Sequence, residues 1–303
     1  MKKLVLASLI AATFSTAAVA QQVTVYGVVD QAVRSTSPNA GASTTSVVSG
    51  SFATSRIGVR GTEDLGGGIK ASFILEGGLN ATSGSVGSGT NFFSRESSVS
   101  LSSPVGTVTV GRTDTSASEG VDTFVGVGNF GVFAVVSGVE YAGDRENTVR
   151  YTSPTVGGAQ FQIGRSHASA QGAQTDSASL TWSKGAVGVA VGYDDAGVDG
   201  KYTAVGARVD FGVASVGAMM GQREVGTAKT DVTAVSAKVP FSAGVAAHGA
   251  YRTSEAAGAK TTTATVGVSK ALSKRTTVLA VYQDTDRGAA AGNFVQAGIV
   301  HSF

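Results

Sequence analysis

The sequence predicts an all-β fold, a transmembrane antiparallel β-barrel of about 16 strands. From residue 23 onwards, the chain is a series of short segments in which apolar and polar residues alternate, as in strands that have one apolar face. The connections between these segments are alternately short and long. After residue 20, no stretch reaches the roughly 18 apolar residues of a membrane helix, whereas a barrel strand needs only about 10 with every second one apolar. These observations favour a barrel that crosses a membrane.

The first 20 residues predict a cleaved signal peptide. Lys2 and Lys3 form a basic start, an apolar run follows over 4–14, and Ala18-Val-Ala20 has the small-x-small pattern of a cleavage site. The alternative is a membrane anchor, but the apolar run is shorter than the roughly 20 residues that a spanning helix needs. We therefore expect residues 1–20 to be removed and residues 21–303 to form a single barrel domain.

Charge and cysteine content give no reason to expect a nucleic-acid-binding protein or a disulfide-stabilised one. The chain has 23 basic and 21 acidic residues, so its formal charge of +2 falls to zero once Lys2 and Lys3 are removed. This balance gives no reason to expect a nucleic-acid partner. Cysteine is absent, so an exported chain of this sequence has no disulfides and must gain its stability from the fold.

The alternation is clearest in residues 55–78, SRIGVRGTEDLGGGIKASFILEGG. Arg56 and Arg60 share one face of the first predicted strand, while Ile57 and Val59 share the other. The TEDLGGG run that follows combines carboxylates with glycines that permit positive φ angles, as a tight turn requires. The second strand alternates in the same way, so the segment predicts a β-hairpin.

The remaining segments repeat this pattern in order along the chain. The predicted strands lie near 23–34, 52–61, 68–78, 92–102, 107–112, 147–153, 159–166, 176–183, 186–193, 201–209, 213–222, 230–239, 245–252, 261–270, 275–284 and 293–303. The even count places both termini and every short turn on one side of the membrane, and every longer loop on the other. Outer-membrane barrels have this asymmetry, and closure of the sheet leaves no unpaired edge in lipid.

The same alternation predicts which side chains face lipid and which face the interior. On the first and last strands, the lipid-facing residues are Val23, Val25, Val29, Val295, Ala297, Ile299 and Phe303. The inward residues on these strands are Thr24, Tyr26, Asp30, Gln296, Gly298 and Ser302.

Several segments resemble the general porins of β-proteobacteria, which are proteins of the Gram-negative outer membrane. The motifs are QVTVYGVVD (22–30), the 55–78 hairpin, GTVTVGR (106–112), VRYTSP (149–154), LSKRT (272–276) and the terminal GIVHSF (298–303). The resemblance implies a 16-stranded barrel that assembles as a homotrimer, with the third extracellular loop folded into the pore. It also implies that Phe303 is the terminal aromatic recognised by the barrel-assembly machinery.

A channel of this kind selects ions by the field of charged side chains in a narrow, partly dehydrated passage. The basic candidates have inward parity: Arg56, Arg60, Lys70 and Arg150. Arg56 matches the first arginine of the family's SRxGxRG motif, which the resemblance assigns to the basic pore wall. The acidic candidates lie in the presumed constriction loop, 113–146: Asp114, Glu119 and Asp122. The alternative for each of these residues is a solvated charge with no special role.

No motif points to a cofactor, a metal or an enzyme. The run at 126–131 matches GxGxxG, but it lies in the longest loop and lacks the strand and helix of a dinucleotide site. His167, His248 and His301 are too far apart in sequence to suggest a metal site. No nucleophile elbow or HExxH pattern is present.

We therefore expect an outer-membrane porin through which ions and small hydrophilic solutes diffuse passively. The basic wall favours weak anion selectivity as a hypothesis, and the loop carboxylates oppose it. The expected partners are outer-membrane lipid, two further copies of the chain and the barrel-assembly machinery. The alternatives are a substrate-specific channel on the same barrel, a plugged barrel that acts as an adhesin or enzyme, and a soluble periplasmic β-protein.

Overall fold

A computed structural model describes residues 22–86, 91–125, 146–167, 174–286 and 291–303 of the chain. Of residues 122–125 and 242, only the backbone is described. The predicted signal peptide (1–20) and the glycine-rich run at 126–131 lie outside the described residues. The domain boundary at residue 20 therefore remains a prediction.

The described chain is almost entirely strand. The strands are β1 Gln22–Pro38, β2 Thr44–Ser49, β3 Arg56–Gly66, β4 Ile69–Asn80, β5 Ser85–Val86, β6 Glu96–Ser103, β7 Gly106–Arg112, β8 Thr148–Thr152, β9 Ala159–Ser166, β10 Thr175–Lys184, β11 Val187–Asp195, β12 Lys201–Asp210, β13 Ser215–Val225, β14 Ala228–Pro240, β15 Val245–Ala256, β16 Ala259–Ala271, β17 Thr276–Asp286 and β18 Gly292–Ser302. Among the described residues, the α-helix α1 spans Ser116–Val125, and short 3-10 turns span Gly197–Asp199 and Ser242–Gly244.

The sheet closes into an antiparallel barrel because β1 pairs with β18. At the seam, the backbones of Gly27 and Phe303 exchange two hydrogen bonds of 3.1 Å each. Strands β2 and β3 pair with successive parts of one edge of β1, so they form a single interrupted strand. The two-residue β5 pairs with β4 outside the main sheet. The wall therefore has sixteen strand positions, and the predicted 16-stranded antiparallel barrel is confirmed.

Side-chain exposure separates the two faces of the wall as the alternation predicts. Val23 and Val25 are 55% and 59% exposed on the outer face, whereas Asp30 and Gln296 are buried on the inner face. The Phe303 ring covers the outer side of Gly27, where a Cβ atom would overlap Phe303 Cζ. The closest approach at the barrel seam therefore depends on a glycine.

The expectation that every connection at the loop-bearing end is longer than a turn is wrong for two hairpins. Strands β13 and β14 are joined by residues 226–227, and strands β15 and β16 by residues 257–258. The predicted loops continue as strands in which oppositely charged residues face each other across the hairpins, Glu224 opposite Lys229 and Glu255 opposite Lys260. Opposite charges at directly facing positions stabilise a strand pair.

The segment predicted as irregular, 113–146, begins with helix α1. The Thr115 hydroxyl accepts a hydrogen bond of 3.2 Å from the Ser118 backbone N–H, so Thr115 is the N-cap residue. The Glu119 N–H donates to the Thr115 carbonyl at 3.0 Å, which is the first helical bond. Within the described ranges, no helix has the length and hydropathy that a membrane-crossing helix needs.

Candidate functional site

Helix α1 lies against the inner wall formed by β10 to β13. Ala117 and Val121 are fully buried there, and they face Gly192 of β11. A Cβ atom on Gly192 would lie 2.9 Å from Val121 Cγ2 and 3.0 Å from Ala117 Cβ. The inner wall beneath the helix is apolar: Ala190, Tyr202, Ala204, Met219, Val232 and Ala234. The described start of the loop therefore narrows the barrel interior from this side.

Polar contacts fix the beginning of α1 to the same wall. The Thr115 hydroxyl donates a hydrogen bond of 2.9 Å to Oδ2 of Asp194, whose side chain is fully buried. The Ser116 N–H donates to the Ser177 hydroxyl at 3.1 Å. Each wall residue sits at an inward position of β10 or β11, so these bonds join the loop to the wall rather than to other loops.

A second element, which comes from the N-terminal part of the chain, also enters the barrel interior. We name residues 50–55, which connect β2 to β3, the inner bend. Its Phe52 side chain is fully buried against inward apolar residues of three neighbouring strands: Val28, Ala32, Leu279, Val281 and Val300. The predicted strand 52–61 is therefore wrong at its start, because the chain bends inward before β3 begins at Arg56.

Two arginines converge on one carboxylate beside the inner bend. Arg56 Nε lies 3.4 Å from Glu76 Oε2, and Arg95 Nε lies 2.6 Å from Glu76 Oε1. The Arg56 Nη1 group also donates to the carbonyl of Thr54 in the inner bend at 2.9 Å. Because one carboxylate faces two guanidinium groups, this group of three side chains keeps a net positive charge. A cavity of about 650 Å³ adjoins it, with Arg95 and Arg112 in its lining.

Arg95 is missing from the sequence prediction. It lies within the predicted strand 92–102, where alternation would place it on the same outer face as Val99 and Leu101. The predicted start of that strand is wrong, because β6 begins only at Glu96, so the alternation does not extend to Arg95. Its role becomes visible through Glu76, which is nineteen residues away on the adjacent strand β4.

The other predicted basic residues differ in their surroundings. Arg60 follows Arg56 on the inward face of β3, and its guanidinium carbon lies 4.9 Å from the ring centroid of Tyr26. Lys70 is exposed near the turn that joins β3 to β4. It is about 26 Å along β4 from Gly78, the position that pairs with Arg56, at ~3.3 Å per residue. The structure therefore does not bring Lys70 together with Arg56.

Arg150 contacts the described start of the 113–146 segment directly. This residue is only 8% exposed, and its Nη1 group donates to Glu119 Oε2 and to the Asp114 carbonyl, each at 3.1 Å. Arg150 is therefore paired with α1, and Asp114 reaches it through its backbone. The side chain of Asp122 lies outside the described residues.

A further ion pair joins the two ends of the 113–146 segment. Arg112, at the end of β7, lies 2.7 Å from Oε1 of Glu146, which precedes β8. Arg112 also donates to the Ser94 carbonyl at 2.7 Å, and Asn91 donates to Glu146 at 3.2 Å. These bonds tie the entry and exit of the loop to the preceding loop.

A barrel of sixteen strand positions, with inward elements on its wall and arginines in its interior, is the architecture of a channel. A family model described as "Gram-negative porin" matches residues 6–290. The chain belongs to the Gram-negative porin family. Porins reside in the outer membrane, and this localisation excludes the soluble periplasmic protein considered as an alternative.

Two curated relatives of this porin are outer-membrane proteins. Outer membrane porin protein 32 of Delftia acidovorans is 37% identical over 171 residues, which cover 52% of this chain and 47% of that protein. An outer membrane porin protein of Bordetella pertussis is 33% identical over 189 residues, which cover 55% of this chain and 48% of that protein. The matched region spans about half the length of these curated relatives.

Solved structures share the whole barrel. The anion-selective porin from Comamonas acidovorans superposes with a TM-score of 0.80 at 26% identity, and the match covers 94% of this porin and all of that chain. A loop-deletion variant of OmpT from Vibrio cholerae superposes with a TM-score of 0.71 at 17% identity, covering 94% of this porin and all of that chain. At that identity the second likeness supports the fold alone.

Proposed function

We propose that this porin forms a water-filled channel through which ions and small hydrophilic solutes diffuse down their gradients, with a weak preference for anions. The observation that carries the proposal is the pair Arg56 and Arg95, which share the single carboxylate of Glu76 on the inner wall. A net positive charge beside a narrow passage favours anions, because low-dielectric walls strengthen the field. The similar solved porin from Comamonas acidovorans is described as anion-selective.

The predicted site residues have distinct roles in this proposal. Arg56 and Arg95 form the positive charge that selects anions, and Arg60 extends this charge along β3 towards the short-turn end of the barrel. Arg150 and Glu119 neutralise one another, so this pair holds α1 rather than attracting ions. Lys70 acts at the mouth near the short turns.

The two remaining carboxylates, Asp114 and Asp122, belong to the acidic side of the constriction in this proposal. They reduce the preference for anions without reversing it. Selection is electrostatic throughout, and no bond is made or broken.

Assembly and membrane contacts complete the proposal. We propose a homotrimer, because the family resemblance implies one and a similar solved structure, OmpT of Vibrio cholerae, is described in a trimer form. The outer face, with its exposed valines, isoleucines and leucines, contacts outer-membrane lipid. The Phe303 side chain remains 44% exposed at the short-turn end, where the barrel-assembly machinery has access to it.

The test is conductance in planar lipid bilayers with detergent-purified protein. We expect single-channel steps, grouped in threes for a trimer, and a reversal potential under a salt gradient that shows anion preference. Arg56→Ala and Arg95→Ala should each lower the anion-to-cation permeability ratio. Arg165→Ala is the matched control, since Arg165 lies on the outer face and pairs with Asp176. Repeated insertion of folded protein without conductance would overturn the open-channel proposal.

A further inference from the structure

The QVTVYGVVD motif ends in Asp30, a carboxylate to which the proposed ion selectivity assigns no role. Asp30 is fully buried on the inner face of β1. Its Oδ2 atom accepts two backbone hydrogen bonds from the inner bend, from Phe52 N–H at 2.5 Å and from Ala53 N–H at 2.7 Å. Hydrogen bonds to a charged acceptor are stronger than those between neutral groups. The Asp30 side chain therefore holds the centre of the bend.

The backbone of Asp30 holds both ends of the same bend. The Gly50 N–H donates to the Asp30 carbonyl at 3.1 Å, and the Ser55 hydroxyl donates to it at 3.2 Å. The Asp30 N–H donates to the Ser55 hydroxyl oxygen at 3.0 Å. Five hydrogen bonds thus connect one residue of β1 to the inner bend, and the Phe52 side chain adds an apolar contact with the wall.

The inner bend in turn determines where Arg56 lies. Arg56 follows the bend directly, and its guanidinium donates to the Thr54 carbonyl at 2.9 Å. Its contact with Glu76 is longer, at 3.4 Å, and Arg95 approaches that carboxylate more closely. The Thr54 carbonyl is therefore the nearer acceptor for Arg56, and its place depends on Asp30.

We infer that Asp30 is a positioning residue for ion selectivity: it fixes the inner bend, and the bend orients the Arg56 guanidinium in the lumen. This inference rests on the proposed anion-preferring channel. It joins the two strongest motifs of the sequence, because Asp30 closes the first motif and Ser55 opens the second.

The direction of the effect separates positioning from simple charge. Asp30 carries a negative charge inside the barrel, so its removal would by itself increase the preference for anions. Release of the bend would instead displace Arg56 and decrease that preference. The two explanations therefore predict opposite changes in the reversal potential.

The experiment compares four variants in planar bilayers under a salt gradient: Asp30→Ala, Asp30→Asn, Arg56→Ala and the double variant Asp30→Ala/Arg56→Ala. We expect Asp30→Ala to lower the anion-to-cation permeability ratio by at least half the logarithmic change of Arg56→Ala. In the double variant, we expect no further fall beyond that of Arg56→Ala, because coupled residues act non-additively. Asp30→Asn keeps an acceptor oxygen for the bend but removes the charge, so its ratio should be equal to or slightly above that of the wild type.

Asp210→Ala is the matched control for loss of an inward carboxylate. Asp210 lies at the short-turn end of β12, where its side chain accepts from the Gly212 N–H at 2.8 Å. Its removal should leave the ratio unchanged or slightly raised. Heat-dependent migration in detergent gels checks that each barrel is folded. If Asp30→Ala does not fold, Ser55→Ala replaces it, with a smaller fall in the ratio as the expected result.

Two results overturn the inference while leaving the channel proposal intact. One is a permeability ratio that rises in folded Asp30→Ala. The other is an Asp30→Ala effect of equal size with and without Arg56. By contrast, an Arg56→Ala variant with unchanged selectivity would count against the proposed function itself.

Discussion

The Thr115 hydroxyl and the Asp194 carboxylate form a buried hydrogen bond of 2.9 Å between the start of the 113–146 segment and the barrel wall. Thr115 also caps helix α1, so one side chain both starts the helix and attaches it to β11. Asp194 lies one inward position from Gly192, whose missing side chain makes room for the helix. The position of α1 therefore depends on a polar contact and on shape at adjacent points of one strand.

Replacement of Thr115 by valine should loosen α1. Valine has nearly the same shape but leaves the buried Asp194 carboxylate without this donor, which costs about 1–3 kcal/mol. It also removes the N-cap, worth about 1 kcal/mol. We expect larger current fluctuations in single-channel records and closure at lower voltage than in the wild-type channel.

The serine variant at the same position provides the comparison. Thr115→Ser retains the hydroxyl and should behave like the wild type. Ser100→Ala removes another inner-wall hydroxyl, which lies away from the helix and forms a hydrogen bond of 2.8 Å with the Thr109 hydroxyl. This variant controls for the general loss of a hydrogen bond. Equal current noise in Thr115→Val and Ser100→Ala would contradict a specific role for Thr115.

Gly192→Val should displace α1 by steric overlap. A Cβ atom alone would lie within 3.0 Å of the helix, and the valine methyl groups require more room. Overpacking of this kind costs about 1–3 kcal/mol. Because the helix moves towards the lumen, we expect a lower single-channel conductance. Gly249→Ala is the control, since its Cβ atom would meet only the Thr265 carbonyl oxygen at 4.0 Å. Unchanged conductance in folded Gly192→Val would show that α1 does not limit the channel.

Alternation of residue types predicts the wall because successive side chains of each strand point to opposite faces, one towards lipid and one towards the lumen. The predicted bounds of β9, 159–166, match the structure, and the inward and outward residues of β1 and β18 are assigned correctly. The elements inside the barrel depend instead on distant partners. Helix α1 is short and contains Gly120, and its contacts with β11 stabilise it. The inner bend is held by hydrogen bonds to Asp30 on β1. Arg95 pairs with Glu76 on β4, whereas the alternation of the predicted strand 92–102 would place it on the outer face with Val99 and Leu101, so the local pattern gives the wrong direction.

Ala257→Asn should stabilise the hairpin between β15 and β16. Both turn residues have positive φ angles, 50° at Ala257 and 76° at Gly258, as in a type I′ turn. A left-handed backbone costs an alanine about 1 kcal/mol, whereas asparagine tolerates it better. We expect the free energy of unfolding to rise by roughly a few tenths of a kcal/mol to 1 kcal/mol, which raises the urea midpoint. Thr227→Asn, in the two-residue turn between β13 and β14, should not stabilise, because Thr227 has no positive φ. Equal gains from both variants would contradict the backbone explanation.

Loss of the terminal aromatic side chain should reduce assembly in cells more than folding in vitro. Phe303 closes the barrel through backbone bonds to Gly27, and these bonds do not require its ring. Its exposed ring is free to be recognised before closure. We expect Phe303→Ala to lower the amount of folded protein in the outer membrane, while Phe303→Tyr preserves it and both refold in detergent. Phe211→Ala, which removes an exposed aromatic at the same end of the barrel, is the matched control. Equal losses for Phe303→Ala in cells and in detergent would assign the ring to stability rather than to recognition.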